Sequence, residues 1–171
     1  MLFAYSNMFS SGAAEGKFSG DVMVDNTPVR LDLWDPCEEG GEWNHMRALH
    51  YHQTDVFLLC YSTSRSSSLK SLADRCGWHR EISHHCPRTP FFIIRVEDEL
   101  ILENMIESNQ TDLWIPPGKG QRLADRLGAQ RHLTYSVSNQ EGLNSWTSRH
   151  SHGFVPTKKS GFSSIFSSTR H

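Results

Sequence analysis

The chain has 171 residues, 37% of them hydrophobic and 21% charged, with a formal net charge of -2 and a pI near 6.5. That length and composition suit one soluble globular domain with a thin core, and the weak charge excludes strong non-specific binding to nucleic acid or anionic lipid. Four cysteines (Cys37, Cys60, Cys76, Cys86) lack CxxC spacing, no apolar run reaches membrane-spanning length, and the start MLFAYSNMF lacks the basic region and long apolar core of a signal peptide, so a cytoplasmic protein with reduced thiols is expected.

In chain order, residues 1–17 read as a divergent leader. FSGDVMVDNTPVRLDLWD then predicts a β-hairpin: Val22, Met23 and Val24, a turn at Asp25-Asn26, and an alternating strand with Val29, Leu31 and Leu33 on one face. Asp35 ends that strand. PCEEGGEWNHM reads as a polar loop, with a short helix over 45–49. The apolar runs at 56–60 and 91–94 both predict strands buried on two faces. Between them, Leu69, Leu72, Ala73, Cys76 and Ile82 follow roughly helical spacing across 69–82. Strand, helix and strand make a β-α-β crossover with parallel strands.

An amphipathic helix is predicted over 100–106, stopped by Trp114-Ile115-Pro116-Pro117. GKGQRLADRLGAQ predicts a helix over 120–127, closed by Gly128, and HLTYSVS a last short strand. From Asn144 the composition turns to Ser, His, Arg and Gly. Residues 144–171 are therefore expected to form a divergent, disordered tail.

The segments LDLWD, QTDVFLLCYS, HHCPRTP, GKGQRLADRLGA and HLTYSVSNQEGL together resemble a Rho-type small GTPase, closest to the Rac and RhoG branch. The resemblance is collinear over residues 18–143. It implies an α/β, Ras-like P-loop NTPase fold, with a mostly parallel six-stranded sheet and helices on both faces. It also implies GTP or GDP and magnesium as ligands, GTP hydrolysis, and signalling to actin regulators.

Residue by residue, the chemistry of that family is mostly missing. A phosphate-binding loop needs glycines that expose backbone N–H groups, a Lys for the β/γ charge and a hydroxyl for magnesium. The one local candidate, Gly12 to Phe18, is a residue short between glycines and has Phe18 where the hydroxyl belongs. By collinearity, the first strand, the phosphate loop and the first helix are absent. The last helix is replaced as well. Residues 2–9 are a possible surrogate for the missing strand.

Ala13 aligns with the family's switch I Thr. At switch II, Asp35-Pro36-Cys37-Glu38-Glu39 keeps only the Asp of the Asp-Thr-Ala-Gly-Gln pattern, so the Gln that orients water is gone. Glu38 and Glu39 set like charges beside a triphosphate. Glu97 stands for the guanine-site Lys and Glu99 for the Asp, while Ser136 remains from the last nucleotide loop.

Asp35 and Ser136 are thus nucleotide-site remnants, and Ala13, Glu38, Glu39, Glu97 and Glu99 are degenerate positions. No catalytic residue and no cofactor are expected. His79, His84, His85 and Cys86 are dense but lack zinc spacing, so no metal site is expected either.

Family effectors contact the second and third strands, which here points to Asp21, Val22, Met23, Leu31, Leu33 and Trp34. With no Cys after Cys86, no C-terminal prenylation box is expected. Two readings follow. One is a pseudo-GTPase or binding module that contacts Rho-type effectors or regulators; the other is a residual GTP-binding, GTP-hydrolysing enzyme.

Overall fold

The computed structural model describes residues 10–12, 17–24, 27–34, 51–73, 77–97, 115–136 and 162–167. Alternating side chains build the first ribbon. Strands β2 (Lys17–Val24) and β3 (Thr27–Trp34) pair antiparallel from Lys17↔Trp34 to Val24↔Thr27, the hairpin the sequence predicts. Within the expected leader, β1 (Ser10–Gly12) adds a short antiparallel edge to β2.

The β-α-β unit follows, with strands longer than predicted. β4 (Val56–Ser62) and β5 (Phe91–Glu97) pair parallel. Their apolar residues are buried on both sheet faces. The helix predicted across 69–82 is instead two: α1 (Ser66–Ala73) and α2 (Trp78–His85).

Gly77 separates them, standing in extended conformation (φ -81°, ψ 167°) at the cap of α2. Each helix carries its own stripe toward the sheet, Leu69 and Leu72 on α1, Trp78 and Ile82 on α2. Cys86 N–H donates to Ile82 O at 2.7 Å and closes α2.

α3 (Pro117–Leu127) begins with a proline, whose missing N–H costs nothing in a first turn, and ends on Gly128 at φ 75°. That left-handed cap matches the predicted stop. β6 (Arg131–Ser136) then pairs parallel with β5 at the sheet edge.

The largest departure lies in the expected tail. Residues 162–167 form β7 (Phe162–Ser167), parallel to β3 on one side and to β4 on the other. The sheet order is β1-β2-β3-β7-β4-β5-β6, so a strand from the far end of the sequence occupies the seat between β3 and β4. Sequence reading assigned residues 144–171 to a disordered tail because aliphatics are sparse there. Both flanking edges supply main-chain partners, so Phe162–Ser167 joins the sheet despite three serines. The surrogate considered at residues 2–9 lies outside the described residues, as do the helices predicted over 45–49 and 100–106.

Two apolar clusters sandwich the sheet. On one face, Phe57, Leu59, Tyr61, Phe91 and Ile93 pack against α1, α2 and α3 through Leu69, Leu72, Trp78, Ile82, Leu123 and Ala124. On the other, Val56, Leu58, Cys60, Phe92, Ile94 and Tyr135 form a second buried set. A fully buried side chain of this size contributes roughly 1.5–3 kcal/mol. The central strands therefore anchor the domain, and the mixed α/β architecture with a mostly parallel sheet is the one expected.

Candidate functional site

Open α/β sheets bind ligands outside the carboxyl ends of their parallel strands. Here that rim gathers Ser62 and Thr63 from the end of β4, Arg95 and Glu97 from β5, and Ser136 from β6, with Glu97 in register beside Ser136. Main-chain bonds stitch it together. Thr63 N–H donates to Val96 O (3.0 Å), and Ile115 N–H, just before α3, donates to Thr63 O (3.1 Å).

Serines finish the end of β4. Ser62 N–H donates to Ser68 Oγ (3.1 Å), Ser68 Oγ–H donates to Arg65 O (2.6 Å), and the hydroxyls of Ser62 and Ser64 lie 2.8 Å apart. α1 is thereby tied back onto its own strand. Thr63 Oγ1 is fully buried and has no hydrogen-bond partner among the described residues.

Arg95 is the unexpected member. It is buried on β5, its Nη1 2.7 Å from Glu97 Oε1, and its Nη2 donates to Ile115 O at 3.4 Å. Residues two apart on a strand share a face, so Glu97 is placed to neutralise Arg95. By the family resemblance Glu97 is a degenerate position, standing for the guanine-site Lys. Its carboxylate is held in an internal ion pair.

Beneath α3, on the same side of the sheet, Tyr61 Oη lies 3.0 Å from His132 Nε2, and the two rings stack at 6.0 Å. Burial pushes the Tyr61 phenol up to about 12, with Glu97 adding to the rise and Arg95 opposing it. Burial also lowers His132, the Arg95 charge lowers it further, and Asp125 pulls the other way. Both groups are therefore neutral near pH 7. Gly120 is the close approach that makes room: a Cβ there would meet Tyr61 Oη and lie 2.6 Å from His132 Nε2.

Of the residues the sequence singles out, Ser136 is buried at the rim beside Glu97. Asp35, Ala13, Glu38, Glu39 and Glu99 lie outside the described residues. The proposed effector set is divided by the pleat. Leu31 and Leu33 are buried, whereas Asp21 is exposed opposite Arg30 and Trp34 packs against the helix-side cluster. Leu31 and Leu33 cannot present side chains to a partner, because strand alternation turns them into the core. Val22 and Met23 lie opposite Val29 and Pro28.

Sequence reading missed Arg95, Tyr61, His132 and Gly120. One signal was present, since a lone Arg inside FFIIRVE needs a counter-charge if that run is a buried strand.

Among the described residues, no group of three or more His, Cys, Asp or Glu is placed to hold a metal ion. No helix there is long and apolar enough to cross a membrane.

The parallel order β4-β5-β6 with its helices is consistent with the comparison to known families. The Ras family model matches residues 4–149. That match covers most of the chain, and on it, together with the sheet, the chain belongs to the Ras family.

Proposed function

We propose that this chain is a Rho-branch member of the Ras family that keeps the scaffold as a binding module and has given up nucleotide chemistry. The observation carrying this reading is the pair Arg95–Glu97 at the end of β5. Guanine recognition in the family uses a Lys and a carboxylate at this point of the rim. Here an acidic side chain stands at the Lys position, and its charge is engaged by an arginine two residues earlier.

Sequence adds support from the phosphate side. Gly12 to Phe18 lacks the glycine spacing and the hydroxyl of a phosphate loop, and its described flanks, Ser10–Gly12 and Lys17–Val24, are two antiparallel strands, not the strand and helix that flank a phosphate loop. Backbone donors for phosphate need a strand-to-helix turn. The module is proposed to act in the cytoplasm, on effectors or regulators of the Rho type that feed actin control. Asp21 on β2 is exposed and belongs to the proposed effector set.

A titration with fluorescent GTP in magnesium buffer tests the loss of nucleotide binding. No saturable binding is expected; a dissociation constant below about 1 μM, near -8.2 kcal/mol, would overturn the proposal. A pull-down with a Rac-binding effector domain tests the partner. Capture in the absence of nucleotide is expected, and failure with and without GTP counts against this partner class.

A further inference from the structure

Helix α3 separates its polar side chains into two flanks. Lys119, Arg122 and Arg126 recur at i, i+3 and i+7, which sets them along one line of the helix over about 10 Å, and all three are exposed. Gln121 and Asp125 occupy the other flank, where the Gln121 amide donates to the Asp125 carboxylate at 2.8 Å. On the inner side Gly120, Leu123 and Ala124 are buried. Among the described residues, no carboxylate forms an ion pair with Lys119, Arg122 or Arg126.

Helix stability does not account for this stripe. A cation at the amino end of a helix opposes the macrodipole, which favours acids there. α3 has no acidic residue in its first turn and places Lys119 in it. Arg122 adds to the same end: a Cβ on Gly118 would lie 3.4 Å from Arg122 Nη1, so the guanidinium folds back over the first turn. Only Arg126, in the last turn, suits the dipole.

We propose that the stripe Lys119, Arg122 and Arg126 binds an acidic helical segment of a partner protein, whose carboxylates recur at the same i, i+3, i+7 spacing. A facing helix repeats with the same period, so three carboxylates meet three cations at once, and each guanidinium can take its carboxylate through two N–H donors. Extended polyanions fit less well. The chain as a whole carries a net charge of -2, which repels a long nucleic acid or an anionic bilayer, whereas a short segment meets mainly the local field. No aromatic side chain is exposed among residues 115–136 to stack on a base. Leu123 is buried and Leu127 half-buried, so the described residues of α3 expose no large apolar side chain to a bilayer. The stripe shares no residue with the rim or the ribbon, and the inference stands whether or not nucleotide binding is lost.

Fluorescence anisotropy of the full chain with a labelled, alanine-rich peptide carrying glutamates at i, i+3 and i+7 tests the proposal. Saturable binding at low salt is expected, weakening as ionic strength rises. The variant Lys119→Gln/Arg122→Gln/Arg126→Gln should bind roughly tenfold more weakly, and the single exposed substitution Arg122→Gln about threefold. The thermal midpoint of the triple variant should hold or rise, because cations leave the amino end of the helix. Absence of saturable binding, or equal binding by the wild type and both variants, overturns the proposal. Tighter binding of an oligothymidylate or of phosphatidylserine vesicles than of the peptide overturns it as well.

Discussion

Arg95 and Glu97, two residues apart on β5, hold each other at 2.7 Å where the strand reaches the rim, with the arginine almost wholly buried and the glutamate about a quarter exposed. A buried charge deprived of its partner is costly, whereas removing both charges often is not. Glu97→Gln is expected to lose about 2–3 kcal/mol, less than a fully buried pair because water reaches the carboxylate. The double variant Arg95→Met/Glu97→Leu should recover most of that loss. Urea melts of the single and double variants check both values, and a double variant weaker than Glu97→Gln would contradict the account.

Gly120 should tolerate no side chain. Gly120→Ala drives a methyl into the Tyr61 hydroxyl and the His132 ring, and overpacking of this kind costs about 1–3 kcal/mol. Helix propensity alone would favour alanine at this position. The sign of the change in thermal midpoint therefore separates the two effects, and a rise would count against the close approach.

His132 gives the fold an acid-sensitive step. Its folded value lies below the ordinary 6.5, so between the two values the unfolded chain binds more protons and stability increases with pH. The contribution is complete above about 6.5 and is lost as pH falls toward the folded value. Protonation also removes the acceptor that Nε2 can offer Tyr61. Burial lowers His79 in the same direction. Melts from pH 7.5 to 5 should show falling stability with acid, and His132→Gln should flatten part of that slope.

Thr63 offers the opposite case, a change that should stabilise. Its hydroxyl is buried without a partner among the described residues, and an apolar replacement of the same shape removes the desolvation cost. Thr63→Val is expected to gain about 1 kcal/mol. An unchanged or lower denaturation midpoint would show that the hydroxyl contributes more than its surroundings indicate.

On the ribbon, the two classes of residue should separate by assay. Leu33→Ala is expected to cost about 2–5 kcal/mol as a core truncation. Asp21→Ala should stay within about 0.5 kcal/mol, its weak surface pair notwithstanding. If Asp21 belongs to a partner surface, effector capture falls in Asp21→Ala while the melt is unchanged.

How far these features could be read from residues alone depended on whether their causes were local. Alternation at Val29, Leu31 and Leu33 announced a strand with one buried face, and it should have barred Leu31 and Leu33 from the effector surface; the family analogy placed them there. Gly128 disclosed its helix end because a left-handed cap is a one-residue requirement. The run FFIIRVE disclosed a strand, yet Arg95 gained meaning only when its burial and its counter-charge were both visible. β7 was hidden for a different reason. FSSIFS carries little of the aliphatic density that marks a central strand, and the edges that recruit it lie some hundred residues or more away. The segments of the middle carried the family resemblance, and the packing beneath Gly120 could not be seen from spacing.

The place of β7 sets an order of events as the protein is made. The ribbon and the β4–β5–β6 layer can each form as the chain leaves the ribosome, but the strand that joins them follows both in the sequence. Closure of the sheet thus depends on contacts spanning most of the chain, the kind that folds slowly. Until Phe162–Ser167 is made, the nascent chain lacks the strand that pairs with both β3 and β4, and chaperone protection would matter most in that interval.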